Sequence, residues 1–263
     1  MLKKNLQVLT LTIRNLIRKK RKTKDSDEGV SFLDHLEELR GRLVKCVAVV
    51  LLASIPCFIY WKQIFEVVLK YPLTRTNPQP HLIFTAPAEA VMLSLQISLV
   101  CGIVAASPVL FYQVWRFVSP GLYKKEKSVI IPVVLATTVS FFCGLGFSYW
   151  LIPLLIKVLA TFGQGVLEPY FKAKEYIGFV LKMSLACGLL FELPVISYVL
   201  TKMGLLTPQF LVSKIRHAIV LCFVVAAIVT PPDMFSQIIM AIPLLVLYGV
   251  SILVSYLTVE KKS

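Results

Sequence analysis

Four glutamates, in three stretches of this 263-residue sequence, sit where a carboxylate needs a partner. Glu126 is the single acid of Phe111 to Pro132, FYQVWRFVSPGLYKKEKSVIIP, with Lys124, Lys125 and Lys127 around it. Glu37 and Glu38 belong to Ser31 to Leu43, SFLDHLEELRGRL, immediately before the first long apolar run. Glu192 interrupts an apolar stretch, CGLLFELPVISYV. The first two stretches lie on the same side of the apolar runs, and together they suit the docking of a positively charged guest. A plainer reading of residues 31–43 is a solvated face carrying Asp34, Glu37 and Glu38, with Arg40 three residues after Glu37 and Arg42 four after Glu38 as partners. The pattern leaves both open. For Glu192 the chemistry is different, because a charge at the bilayer centre costs about 2.5–3.5 kcal/mol on insertion scales and is expected to face a bundle interior or water and to serve function. Pro194, two residues on, loosens the backbone hydrogen bonding around it. The structural alternative is a protonated carboxyl bonded to a neighbouring helix through Gln96, Ser98 or Ser140.

The elements that position these groups are apolar helices. With 57% hydrophobic and only 16% charged residues, and a mean hydropathy of +0.78, the chain is too apolar for a soluble domain of its length. Reading between charged or histidine residues marks six windows: Cys46 to Trp61, Ala90 to Trp115, Ser128 to Ile156, Met183 to Thr201 around Glu192, Ala218 to Pro232, and Met234 to Val259. A helix needs about 20 apolar residues to cross. The first window reaches that length with Leu43 to Lys45 included, Lys45 snorkelling, and Lys182 is taken to start the fourth. The fifth is short, so the Thr230-Pro231-Pro232-Asp233 turn is expected to pair it with the sixth as a shallow hairpin. The fold class is therefore all-α: a polytopic membrane protein of six transmembrane helices. Leu36, Leu39 and Leu43 follow Phe32 and Leu33 at helical spacing, which predicts an amphipathic helix running into the first span, with Ser31 or Asp34 as N-cap.

Lysines and arginines crowd residues 1–45, the 115–128 turn, the 201–217 segment and the C-terminal tail, whereas the other side carries Lys62, Lys70, Arg75, Lys157, Lys172 and Lys174. The positive-inside rule places both termini in the cytoplasm. The net charge of +14 is then a topology signal and an attraction to anionic lipid, with no nucleic-acid motif beside it. The division expected is a basic arm at 1–30, a membrane domain at 31–258 and a tail at 259–263. The arm reads either as an amphipathic helix on the cytoplasmic leaflet or as a basic tail; it is not a cleavable signal, since its basic cluster follows the apolar residues. The six cysteines, scattered one to a window, read as small buried hydrophobes. His35, His81 and His217 fall in different segments, so no shared metal site is expected. The outward loops, 62–89 and 157–174, are apolar enough to fold as a cap, and neither holds the serine, histidine and acid of a hydrolase.

Four motifs, HLEELRGRL (35–43), PVLFYQVWRFVSPGLYKKEK (108–127), FELPV (191–195) and TPPDMFSQ (230–237), resemble in content and order those of TatC, the multispanning core of the twin-arginine protein translocase. The resemblance covers residues 31–258; the arm at 1–30 departs from it. It implies that Glu38 and Glu126 receive the paired arginines of a folded protein's signal peptide and that Phe117 helps shape the pocket. Guanidinium makes two parallel hydrogen bonds to a carboxylate, which lysine cannot reproduce. The resemblance further implies a concave bundle in which Glu192 hydrates and thins the membrane, with Gln237 near a docking site for single-span TatA- and TatB-type partners and Pro72 important for the cap. Implied too are self-association, a cytoplasmic (inner) membrane location, and transport driven by the proton gradient.

On this reading the chain is a receptor and scaffold, not an enzyme, with no cofactor. The alternative is a proton-coupled secondary transporter of a small solute using Glu192; the inverted repeats and paired broken helices of that class are not visible. An intramembrane hydrolase lacks a second acid, a nucleophile with its base, or His-Glu-x-x-His.

Overall fold

The computed structural model describes residues 36–76, 80–118, 130–161, 170–231 and 233–260. The helices are α1 (Leu36–Ile59), α2 (Trp61–Ile64), a π-helix (Phe65–Lys70), α3 (Tyr71–Thr74), α4 (Glu89–Val118), α5 (Ile130–Thr161), α6 (Ala173–Leu190), α7 (Leu193–Lys202), α8 (Pro208–Ser213), α9 (Ile215–Val229) and α10 (Met234–Glu260). Two short strands, β1 (His81–Ile83) and β2 (Tyr170–Lys172), complete the described residues. Two compact units divide the chain, residues 1–47 and 48–263, and their boundary falls within α1.

Among the described residues five helical segments are long and apolar enough to cross a membrane: Leu36–Ile59, Glu89–Val118, Ile130–Thr161, Ala173–Lys202 and Met234–Val259. A shorter apolar helix, α9, falls on the fifth window; its 15 residues cover about 22 Å of a hydrocarbon core near 30 Å. Four residues, 230–233, separate it from α10, against which it packs, as the turn chemistry predicts. Asp233 accepts a hydrogen bond from the Ser236 backbone N–H at 2.7 Å and so caps the start of α10.

One window was misplaced by reading from charge to charge. Lys182 does not start the fourth span; α6 begins at Ala173 and Lys182 lies nine residues inside it. Charged residues at a helix end or beside a polar partner do not stop a helix. Lys172 pairs with Glu175 at 3.5 Å, and Lys182 donates to a backbone carbonyl of another helix. The cysteines also differ from expectation: all six thiols are free, but only Cys187 is buried, Cys143 is exposed and the others are half-buried. In a membrane the outer face of a bundle is apolar too, so hydrophobic character does not select the interior.

Helix packing in the second unit depends on small residues. A methyl group at Gly144 of α5 would stand 2.9 Å from the Cα of Gly188 on α6, so only glycine permits that approach. Serine and threonine hydroxyls join α7 to α10, Ser197 donating to the Ser251 carbonyl at 3.0 Å and Thr201 meeting Ser255 at 2.8 Å. The largest apolar core gathers Leu69 and Leu73 with Leu93, Ile97, Ile152 and Ile177 where α4, α5 and α6 meet the π-helix and α3.

The segments flanking α4 and preceding α6 fold together there. β1 and β2 pair in parallel, His81 opposite Tyr170 and Ile83 opposite Lys172. Tyr149 on α5 donates its hydroxyl to the Val67 carbonyl at 3.0 Å, and Tyr176 on α6 donates to the Leu69 carbonyl at 2.6 Å. Both acceptors lie in the π-helix.

Candidate functional site

Glu38 lies in the first turn of α1, and its carboxylate accepts from the Arg42 guanidinium, the Nε at 3.0 Å and the Nη2 also in contact. This is the i,i+4 pair that the helix spacing allows. The side chain of Glu38 is 39% exposed and that of Arg42 14%, so the acid stays open to an incoming group while the arginine is the better covered partner. The solvated, ion-paired face read from the pattern is therefore present at Glu38. An exposed pair of this kind contributes only about 0–1 kcal/mol, and another guanidinium can replace it at little cost. Glu126 lies outside the described residues, as do His35, Ser31 and Asp34.

Phe117 occupies the last turn of α4 and is half-buried. The preceding turn is anchored: Trp115 donates its indole N–H to the Thr137 hydroxyl of α5 at 2.9 Å, and Phe111 meets Phe141 edge to face at 5.4 Å. Arg116 donates to the Tyr112 hydroxyl at 3.1 Å and lies over its ring. The ends of α4 and α5 that flank residues 119–129 are thus tied by a polar bond between two spans.

Glu192 is 4% exposed, and neither carboxylate oxygen has a hydrogen-bond partner among the described residues. None of the three candidate partners bonds to it. Ser140 donates to the Phe191 carbonyl at 2.5 Å, Ser98 donates to the Ser94 carbonyl at 2.6 Å, and Gln96 lines a cavity with Lys182. Short hydroxyls reach backbone carbonyls of their own or a packed helix before they reach a distant acid. The backbone does break here, as Pro194 predicts: α6 stops at Leu190, α7 starts at Leu193, and Glu192 sits in the intervening turn. Burying a carboxyl group without a hydrogen-bond partner is costly.

Toward the end of α9 three side chains donate to backbone carbonyls. Gln237 donates its amide to the Phe223 carbonyl at 3.1 Å, Thr230 its hydroxyl to that of Ala226 at 2.8 Å, and Lys182 its ammonium to that of Ile228 at 3.2 Å. Gln237 thus bonds across helices, and its partner is α9. Two further buried polar atoms in this motif, Asp233 Oδ2 and Ser236 Oγ, have no partner among the described residues.

Pro72 is fully buried in the first turn of α3, directly after the π-helix. Close by in the fold is a carboxylate the sequence reading passed over. Glu89, 5% exposed, accepts from the backbone N–H of Thr85 at 2.7 Å, the Thr85 hydroxyl at 3.0 Å, the backbone N–H of Ala86 at 3.2 Å and the backbone N–H of Lys174 at 2.9 Å. The signal was present in the sequence as an acid four residues after Thr85 at the start of an apolar run, the mark of a helix N-terminus. Its bond to Lys174 was not legible.

No group of three or more metal-ligating side chains occurs among the described residues. The arrangement offers carboxylates, hydroxyls and ammonium groups for binding and proton exchange.

Comparison with known proteins bears on this geometry. Residues 34–243 match the family described as Sec-independent protein translocase protein (TatC). The chain is 45% identical to the Sec-independent protein translocase protein TatC of Helicobacter pylori (strain J99), over 84% of this chain and 87% of that protein. It is 41% identical to the one from Aquifex aeolicus, over 87% of this chain and 96% of that protein. A crystal structure described as the Twin Arginine Translocase Receptor TatC superposes with a TM-score of 0.77 at 38% identity, over 86% of this chain and 99% of that one. The chain belongs to the TatC family, and is a multi-pass membrane component of the Sec-independent protein translocase.

Proposed function

We propose that this chain is the signal-peptide receptor and scaffold of the twin-arginine translocase, which exports folded proteins across the cytoplasmic membrane using the proton gradient. The observation that carries the reading is the likeness, over nearly the full length, to a solved protein described as the receptor of that translocase. In this proposal α9 is the fifth of six spans, and both termini lie in the cytoplasm around a concave bundle. Residues 1–30 form a basic arm attracted to anionic lipid, 31–258 the membrane domain and 259–263 the tail.

Glu38 and Glu126 each take one guanidinium of an Arg-Arg pair, and Phe117 shapes the pocket between them. Arg42 holds Oε1 of Glu38 until the guest arrives. Exchange of one guanidinium for another releases little free energy, so the signal's apolar segment has to supply most of the affinity while the arginines supply selectivity. Glu192 hydrates the membrane interior, the α9–α10 region around Gln237 receives the single-span TatA- and TatB-type partners, and Pro72 fixes the cap. Copies of the chain self-associate in the active complex. The chain contributes binding and no catalysis of its own.

The test compares two signal peptides, identical except for Arg-Arg or Lys-Lys, bound to the membrane-embedded protein. A preference for Arg-Arg of about tenfold or more, removed by E38A and by E126A, is the expected result. Equal binding of the two peptides would sink the two-carboxylate pocket and reopen a solute transporter built on Glu192.

A further inference from the structure

A cavity of about 840 Å3 opens between α4, α6 and the end of α9. From α6 it takes Lys174, Gly178 and Lys182, spaced four residues apart and therefore on one face of the helix. Gly178 faces α4 across the floor: a β-carbon there would stand 3.8 Å from the Gln96 amide nitrogen, an ordinary contact. The two lysines are about 12 Å apart along the helix, close enough for two long side chains to converge over the glycine. Lys182 spends one of its three N–H donors on the Ile228 carbonyl, leaving two for an occupant. The one acid on the cavity wall, Glu175, is paired with Lys172. Val100, Phe179, Leu181, Leu185 and Val229 make the remaining wall apolar.

Depth adds to this chemistry. Lys182 lies about 13 Å along α6 from Ala173, within a membrane-spanning segment, where an ammonium is retained only with a polar partner. The neighbouring α9 is too short for the hydrocarbon core, so the bilayer beside its end must thin and carry headgroups inward. A cationic floor with apolar walls, opening where headgroups descend, has the amphipathic form of a phospholipid.

We propose that this cavity binds one anionic phospholipid, its phosphate held by Lys182 and Lys174 with the Gln96 amide as a further donor, and its acyl chains along Val100, Leu181 and Leu185. The volume and the second lysine suit a phosphodiester carrying two chains better than a single carboxylate on a partner helix. The site is independent of signal recognition. It gives the end of α9 a lipid ligand in place of an unfilled gap.

Native mass spectrometry of the full chain, released from bilayers of mixed phosphatidylglycerol and phosphatidylcholine, tests it. The wild type retains phosphatidylglycerol over phosphatidylcholine, and millimolar inorganic phosphate does not displace it. K182Q lowers retention roughly fivefold, the loss expected from removing one lysine at an anionic lipid, and K182R restores most of it. G178L leaves every charge in place and also lowers retention by filling the floor. Equal retention of the two lipids by the wild type overturns the proposal, and so does unchanged retention in K182Q or G178L. Displacement by inorganic phosphate would assign the cavity to a soluble anion. Loss of a co-expressed single-span partner from K182Q, with lipid retention unchanged, would assign it to a protein. If K182Q does not fold, the two-lipid comparison and G178L decide.

Discussion

Two glutamates of this chain are buried to nearly the same degree and could hardly differ more in what surrounds them. Glu89 accepts four hydrogen bonds, three from the turn before its own helix and one from the start of α6. Glu192 accepts none among the described residues. Equal burial with opposite satisfaction separates two uses of a carboxylate. One is a pin, its charge consumed by fixed N–H donors. The other holds its demand in reserve, at a point where the backbone itself is broken. Burial by itself would have ranked them alike.

Substitutions can sharpen or break that contrast. The largest effect is expected at Glu89: E89Q puts an amide N–H against backbone N–H donors, and thermal unfolding in detergent should show a marked fall in Tm, nearly as large as for E89A. An unchanged Tm in E89Q would mean that the charge is not what joins the two segments. Next comes Y176F, which strips the buried Leu69 carbonyl of its donor and should cost about 1–3 kcal/mol. At Glu192 the sign reverses. E192M should raise stability by about 1–3 kcal/mol, because it removes a buried group with no partner, while export falls in a transport assay. A destabilised E192M would show that the carboxyl has a structural bond after all. The smallest effect is expected from W115F, about 1 kcal/mol for the lost bond to Thr137, measured by the same unfolding. Its larger consequence should be for signal binding, since that bond joins the helices flanking residues 119–129.

The long helices were legible because an apolar run of membrane length admits few structures, and the short α9 with its turn followed from Pro231, Pro232 and Asp233. Glu192 was legible because an acid in FELPV has no innocent place in lipid. What stayed hidden was nonlocal. Lys182 read as a helix start because a window drawn between charges cannot know that the Ile228 carbonyl waits on another helix. Gln96, Ser98 and Ser140 were plausible donors for Glu192 by composition, and only the fold shows the two serines bonded to backbone carbonyls and Gln96 lining a cavity instead. Glu89 looked like the edge of a window, since its Lys174 partner lies two helices further along the chain. Four motifs in family order made the family itself visible before any of these contacts.

The β1–β2 ladder also bears on how the protein is made. A ribosome delivers the chain from the N-terminus, so β1 and Glu89 emerge before α4 and α5, and β2 and Lys174 only after them. Until both helices have been threaded into the bilayer, the strand keeps an open edge and the acid lacks its last donor. Closure of this small ladder is therefore a late event in biogenesis, and a polypeptide stopped after α5 would present an unfinished surface by which quality control could recognise it.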